Sequence, residues 1–537
     1  MKTRNFAGTK ILFRLYLRRD QFLLFVWIFL PTILLLANAA TFIAMDNHGQ
    51  GLQKALIEFN KDPLITALLG PVMSMNLPGA LVWRTVSLLA LSLGMGSLLT
   101  VIRHTRTDEE TGRSELIRAC IVGRYANLTA ALILSYASNL TAGVLIALSL
   151  IGLGGAVGSS FLFGMTMSII GCFFAGIGAF SVQLRESSGS ARAIGAAALG
   201  LGVMLAILNN FGGGDTLLRW ITPMAWQRVT RPFAGNHEWN LLFFAAIAVL
   251  PAIIAYVLCA RRDLGSGVLL ARSGRREAAL YFSSPLALAW RLHKGSFSGW
   301  MVGTVLYIAV FAAISPVLSN AGGMSDWLTN LGGTDWTDEA GLGYVFISIG
   351  IYLMSLMVAV YAMSAVLCLK KEEKEGRTEM LLDKQVGRIR WMSSHLVVAF
   401  SGSAALLLAM GTAGGLIYGL AADDLSNHFW HIFMMSISKI PPVWLLAGIT
   451  SFLYGLWPRV TVLGWVLWLS FTLLEVAWEA QVIDWSLMHI SPFSYVHYTI
   501  HISNLPLLPL FWLICLSAIF IGLGLFGFRN RDAFTKA

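Results

Sequence analysis

The sequence predicts an all-α polytopic membrane protein: about twelve transmembrane helices in two tandem six-helix pseudo-repeats. Three observations carry this. Apolar runs recur along the whole chain, Lys and Arg gather in alternate connections between them, and one polar segment is written twice. Of 537 residues, 56% are hydrophobic and only 12% charged, with a mean hydropathy of +0.70; a soluble domain carries about 25% charged residues. The apolar runs are long enough to cross a hydrocarbon core of about 30 Å. Ten-residue alternating strands are absent, which argues against a barrel.

Helices are expected near 21–46, 82–103, 126–152, 156–183, 192–212, 240–260, 297–319, 343–369, 393–420, 429–456, 461–481 and 505–528. The opening "MKTRNFAGTKILFRLYLRRD" is basic and amphipathic and leads into a full-length span, so no cleavable signal peptide is expected. With both termini placed in the cytoplasm, 31 of the 38 Lys and Arg residues fall on the cytoplasmic side. That bias sets orientation. It also accounts for the net charge of +10 without nucleic acid as a partner. The five cysteines, Cys120, Cys172, Cys259, Cys368 and Cys515, are scattered singly and read as small packing residues.

The duplicated segment is "EETGRSELIRACIVGR" at 109–124 and "EKEGRTEMLLDKQVGR" at 373–388, identical at seven of sixteen positions. About one match is expected by chance from ordinary composition. "YLRRDQFLLFVW" before the first span also aligns with "AWRLHKGSFSGW" before the seventh. "DTLLRWITPMAW" (215–226) aligns with "DWSLMHISPFSY" (484–495). Residues 1–270 and 297–537 are thus expected to be two copies of one six-helix unit, joined by a basic, Gly/Ser-punctuated cytoplasmic linker and a second entry helix over 271–296. Six is even, so the copies point the same way, and the expected pathway lies between them. The segments 11–19 and 286–294 read as interfacial helices with basic residues towards lipid headgroups.

Each copy of the island keeps E-x-x-G-R-[ST]-E in register. Arg113–Arg118 and Arg377–Leu382 have helix-compatible composition with a short apolar edge. Topology needs only a positive charge; two glutamates, a glycine and an arginine repeated in register suit docking to a soluble partner.

At these residues the chain resembles the ABC-transporter permeases of the type-2 exporter class, in particular the large fused permeases of polyketide-antibiotic export similar to the tetronasin-resistance permease. The likeness rests on the duplicated loop, "LLGP…GALVWR" (68–84), the "ITPMAW"/"ISPFSY" pair and the "RPFAG" that follows the first. The resemblance implies that each loop forms a cytoplasmic coupling helix on an ATPase subunit. Glu109, Gly112, Arg113 and Glu115, and Glu373, Gly376, Arg377 and Glu379, would then be the contacts. Lys374 stands where the first copy has Glu110. No GxxxxGK[ST] occurs, so two copies of a separate ATPase are expected to bind the ATP and Mg²⁺, and the chain itself is expected to have no catalytic residue or cofactor. The implied cargo is a hydrophobic or amphipathic compound such as an antibiotic or other drug, exported across the cell membrane. An ion-coupled secondary transporter, or export of lipid or cell-wall intermediates, stays open.

Charges inside spans are costly and mark function or pairing. Lys439 and Glu475 are such charges, positioned to pair with each other or to line a cavity. Glu475 has aromatic neighbours in Trp468, Phe471 and Trp478, and the fifth helix of each half lines the pathway in the resembled class. Arg84 joins these as a candidate pathway residue. Pro441-Pro442 is expected to break the tenth span just after Lys439. His497, His501, His489 and Asp484 are not expected to form a metal site.

Overall fold

The computed structural model describes residues 5–45, 51–61, 63–118, 122–213, 215–263, 265–269, 284–319, 341–383, 386–479, 483–497 and 507–531. Most of these are helical, with no strand among them. Eleven helical stretches among them are long and apolar enough to cross a membrane. The eighteen-residue helix Val462–Glu479 occupies the place of the predicted eleventh span. The chain separates into two compact units, Met1–Gly274 and Arg275–Ala537. Most of the predicted linker, residues 271–283, lies outside the described residues, as do Cys120 and His501.

Within each unit the same helices form the interior. In the first, Leu77–Glu110 and Val157–Leu184 are each 67% buried across their most apolar window, against 22% for Gln21–Ala40 and 28% for Asn240–Arg261. In the second, Gly343–Lys374 is 78% and Leu425–Leu456 67% buried, against 28% for both Pro285–Pro316 and Leu507–Asn530. The second and fourth spans are therefore core helices in both copies. The first and last present Leu, Ile and Phe to the outside, as lipid-facing helices do.

Local chemistry moves some boundaries away from the hydropathy reading. The second span starts at Leu77, because the Asn76 side chain accepts from the Gly79 backbone N–H at 2.8 Å and Pro78 opens the first turn. The tenth span is two helices, Leu425–Ile437 and Ile440–Leu456, parted at Ser438-Lys439 by the Pro441-Pro442 pair.

The entry segments differ between units. Thr9–Arg19 is a separate helix whose Leu12 and Tyr16 bury against Ala126, Ala130 and Leu134 while Ile11 and Leu15 stay exposed. It ends at Asp20, and Gln21–Met45 follows. In the second unit 286–294 is helical but continuous with its span, in one helix Pro285–Ser319.

Candidate functional site

Each copy of the island closes a loop in the same way. In the first, a helix ends at Glu110, Gly112 adopts φ +71°, and a short helix runs Arg113–Arg118. In the second, Gly376 takes φ +73° between helix Gly341–Lys374 and helix Arg377–Leu382. A Cβ at either glycine would meet nothing within 4 Å, so the left-handed backbone is what calls for glycine here. The arginine after each glycine turns back onto an acidic residue five positions earlier. Arg113 lies 3.6 Å from buried Asp108, and Arg377 donates to buried Glu372 at 2.6 and 2.7 Å. That hydrogen bonding to Glu372 holds the Arg377 pKa above its ordinary value. The following Ser114 and Thr378 are both buried and seat the short helices.

The first glutamate of each motif points inward, to the end of its unit's last helix. Glu109 receives Arg262 at 2.6 and 3.0 Å and Arg106 at 2.6 Å, with the Glu109 and Arg262 side chains both 7% exposed. Glu373 receives Arg531 at 2.6 Å and the Tyr454 hydroxyl at 2.8 Å. The arginine that ends each motif completes the clamp. Arg124 donates to the carbonyls of Cys259 and Arg262, and Arg388 to those of Arg529 and Arg531, satisfying carbonyls at a helix C-terminus. Arg262 and Arg531 were not singled out by sequence, because each is distant in the chain from the island it holds. Asp108 and Glu372 did carry a signal: an acidic residue precedes both copies of the motif.

Glu115 and Glu379 are exposed, as are Arg113, Arg377 and Met380. A cavity of about 290 Å³ lies behind the first loop, lined by Glu109, Arg124 and Arg262 among others. A groove of about 630 Å³ runs beside the second short helix, lined by Glu379, Met380, Leu382 and Arg388. The mismatch between Glu110 and Lys374 has a local cause. The Glu110 carboxylate accepts from the Ser188 backbone N–H at 2.9 Å and from its hydroxyl, placing an anion at the start of helix Ser188–Phe211. Lys374 is exposed.

Lys439 and Glu475 lie within spans of the second unit, around Tyr352 of helix Gly341–Lys374. In the second unit Glu475 accepts from Tyr352 Oη at 2.6 Å and pairs with His497 Nε2 at 2.5 Å. Lys439 donates to the Val496 carbonyl and sits 5.9 Å from the Tyr352 ring centre. Tyr352 thus lies between Lys439 and Glu475, and the Glu475 carboxylate also meets the His497 ring. The ring of Trp478 stands 4.7 Å from His497, whereas Trp468 donates to the Leu356 carbonyl at 3.0 Å and Phe471 is half-buried. His489 is exposed beside Trp485 and Tyr495, apart from the Glu475 partner His497.

The matching place in the first unit is a cationic clamp. Arg228, in the short helix Trp226–Thr230 after "ITPMAW", is buried and donates to the carbonyls of Leu69 at 2.6 Å and Pro71 at 3.4 Å. Asn210 donates to Leu68 O at 3.0 Å and Trp83 Nε1 to Gly70 O at 2.7 Å. All four carbonyls of "LLGP" are therefore engaged, which ties that segment to the "GALVWR" helix and to "ITPMAW". A Cβ on Gly70, at φ +77°, would lie 1.6 Å from Arg228 Nη2. Arg84 points elsewhere, with Nε donating to Asn38 at 3.1 Å and its guanidinium 5.8 Å from the Phe42 ring centre.

These features define a multi-pass, all-helical membrane protein whose two units repeat one clamped loop. Residues 282–529 match the family described as "Multidrug efflux system permease Rv1217c, C-terminal domain". Over 536 residues the chain is 35% identical to the multidrug efflux system permease protein Rv1217c of Mycobacterium tuberculosis, covering 98% of this chain and 96% of that protein. The chain belongs to this permease family.

Proposed function

We propose that this chain is the membrane-spanning subunit of an ABC exporter, carrying hydrophobic or amphipathic drugs out of the cell. Two copies of a separate ATPase bind ATP and Mg²⁺ and dock on the cytoplasmic loops. Kinship to a protein named as a multidrug efflux permease supports the transport class and the cargo. The observation that carries the ATP-driven reading is the loop built twice to one plan: a glycine turn closed by an Arg–carboxylate bridge, then a short helix with an exposed glutamate, Glu115 or Glu379. Division of labour within the motif follows. Glu109 and Glu373 anchor each loop to its own unit, while Glu115, Glu379 and the exposed faces of Arg113 and Arg377 are left for the partner. Exposed charges of this kind form charge-assisted hydrogen bonds across an interface. The test is co-purification with a separate ABC ATPase co-expressed with the full-length chain. Drug-stimulated hydrolysis only in the complex is the expected result, and hydrolysis by the isolated permease would refute the proposal.

The buried Glu475–His497–Tyr352 cluster with Lys439 favours a second reading, ion-coupled transport. Efflux from vesicles driven by a pH gradient in the absence of ATP would select it.

A further inference from the structure

We infer that the second unit carries a transition-metal site made by His293, Cys368 and His395. The three residues come from three different helices, Pro285–Ser319, Gly341–Lys374 and Arg388–Ala421. Their donor atoms all lie within 4.8 Å of one another. His293 Nε2 and His395 Nδ1 are 3.1 Å apart, close to the roughly 3.3 Å that separates two nitrogens bound at about 2.0–2.1 Å to one tetrahedral zinc. Bringing the sulfur to about 2.3 Å from such an ion needs a shift of Cys368 by the order of an ångström. Two imidazoles and a thiolate form a donor set suited to zinc rather than to calcium or magnesium.

Several features point to a ligand rather than to packing alone. His395 is fully buried, and its Nδ1 faces the His293 Nε2. His293 is 5% exposed, whereas Cys368 is only half-buried and leaves a way in. The same three positions in the first unit hold Asp20, His104 and Ala131, by the alignments of the duplicated segments. There Asp20 pairs with Arg103 at 2.9 Å and lies 3.0 Å from the His104 ring, so the junction is filled by an internal ion pair and a neutral imidazole. The second unit replaces that carboxylate and the small alanine with two imidazoles, and the first unit's histidine with a thiol. One helical turn after Cys368 lies Glu372, whose negative charge acts on both His293 and Cys368.

Binding uses the tautomers in which both facing nitrogens carry lone pairs. One Zn²⁺ is taken up, the Cys368 thiol releases one proton to solvent, and the site gains one net positive charge. Three protein donors leave a fourth position for water.

The experiment uses the full-length chain, purified in detergent and stripped with a chelator. Titration with zinc should show one ion per chain, with a proton released on binding. Cys368→Ser and His395→Gln should each weaken binding by at least about tenfold, and cobalt should give a thiolate-to-metal charge-transfer band that Cys368→Ser abolishes. In the unaltered chain, zinc should slow alkylation of Cys368 while leaving Cys172, Cys259 and Cys515 unchanged, a readout that stands even if a variant fails to fold. Zinc affinity in both variants equal to that of the unaltered chain, or Cys368 alkylated at the same rate with and without zinc, overturns the assignment.

Discussion

The two units are alike at one end of their core helices and unlike at the other. At the island end, Glu109 with Arg262 and Glu373 with Arg531 solve the same problem, fastening the loop after the second span to the end of the last helix. At the opposite end, the first unit buries a cation, Arg228, among backbone carbonyls, and the second buries an anion, Glu475, between His497 and Tyr352. The sequences beside these groups still align, since "ITPMAW" leads into Arg228 and "ISPFSY" into His497. Duplication has therefore kept the shared anchoring task and let the span-end chemistry diverge. The matched feature is an internal anchor that each unit needs for itself, and the unmatched one is chemistry found in a single unit.

The largest expected effect tests the matched end. Glu109→Ala should destabilise the first unit by about 3–5 kcal/mol, because it strands a buried arginine. Glu373→Ala should cost less, since its side chain is 16% and that of Arg531 15% exposed to solvent. The thermal unfolding midpoint in detergent reads both. Identical midpoints for the two variants would show that burial does not grade the clamps. A charge exchange, Glu109→Arg with Arg262→Glu, should recover part of the loss, as a double-mutant cycle detects.

Next comes the first unit's unmatched group. Arg228→Met leaves the Leu69 and Pro71 carbonyls without that donor, at roughly 1–3 kcal/mol for each buried group left unsatisfied. The loss should appear as lower stability with no change in which drugs are carried. A variant of wild-type stability and altered drug preference would make Arg228 a cargo contact and erase the contrast with the second unit.

Glu475→Gln is expected to be milder for stability, because glutamine keeps an acceptor for Tyr352. Removing the negative charge should lower efflux of cationic compounds more than that of neutral ones. Lys439→Met and Glu475→Gln should be non-additive by at least about 0.5 kcal/mol, the mark of groups in one network. Additive effects, with all drugs affected equally, would reduce the cluster to packing.

Much of this arrangement was legible in the sequence. Hydropathy and the Lys/Arg bias pointed to an all-helical polytopic protein, and the proline pair at 441–442 marked the break after Ile437. The helical composition of Arg113–Arg118 and Arg377–Leu382 matched the two short helices. What sequence could not show was side-chain direction. A motif repeated in register reads as one surface, yet Glu109 and Glu373 turn in while Glu115 and Glu379 turn out. Their partners, Arg262 and Arg531, lie 153 and 158 residues further on, where no local pattern marks them. Glu475 raised the same difficulty. Lys439 was its obvious counter-charge, but nothing in the sequence signalled that the neighbouring loop also brings His497 to the carboxylate. The His293, Cys368 and His395 group has no spacing to detect, because each residue comes from a different helix.

The smallest effect on stability should come with the sharpest effect on function. Glu115 and Glu379 are exposed on six-residue helices, and no ion pair within the described residues holds either one. Surface substitutions of this kind usually change stability by about 0.5 kcal/mol or less. Glu115→Ala and Glu379→Ala should therefore leave unfolding midpoints and drug binding as they were. If the short helices seat two ATPases, each variant should still lose drug-stimulated hydrolysis and efflux together, and the double variant should lose the ATPase during purification. Truncating one partner of a desolvated interfacial charge pair costs on the order of 2–5 kcal/mol, enough to release a subunit. The two single variants need not be equal. The second helix has a groove and an exposed Met380 beside its glutamate, so apolar contacts there should soften the loss from Glu379→Ala relative to Glu115→Ala. Co-purification of all subunits and full coupling in the double variant would leave the clamps intact but show that what they present is not a docking surface.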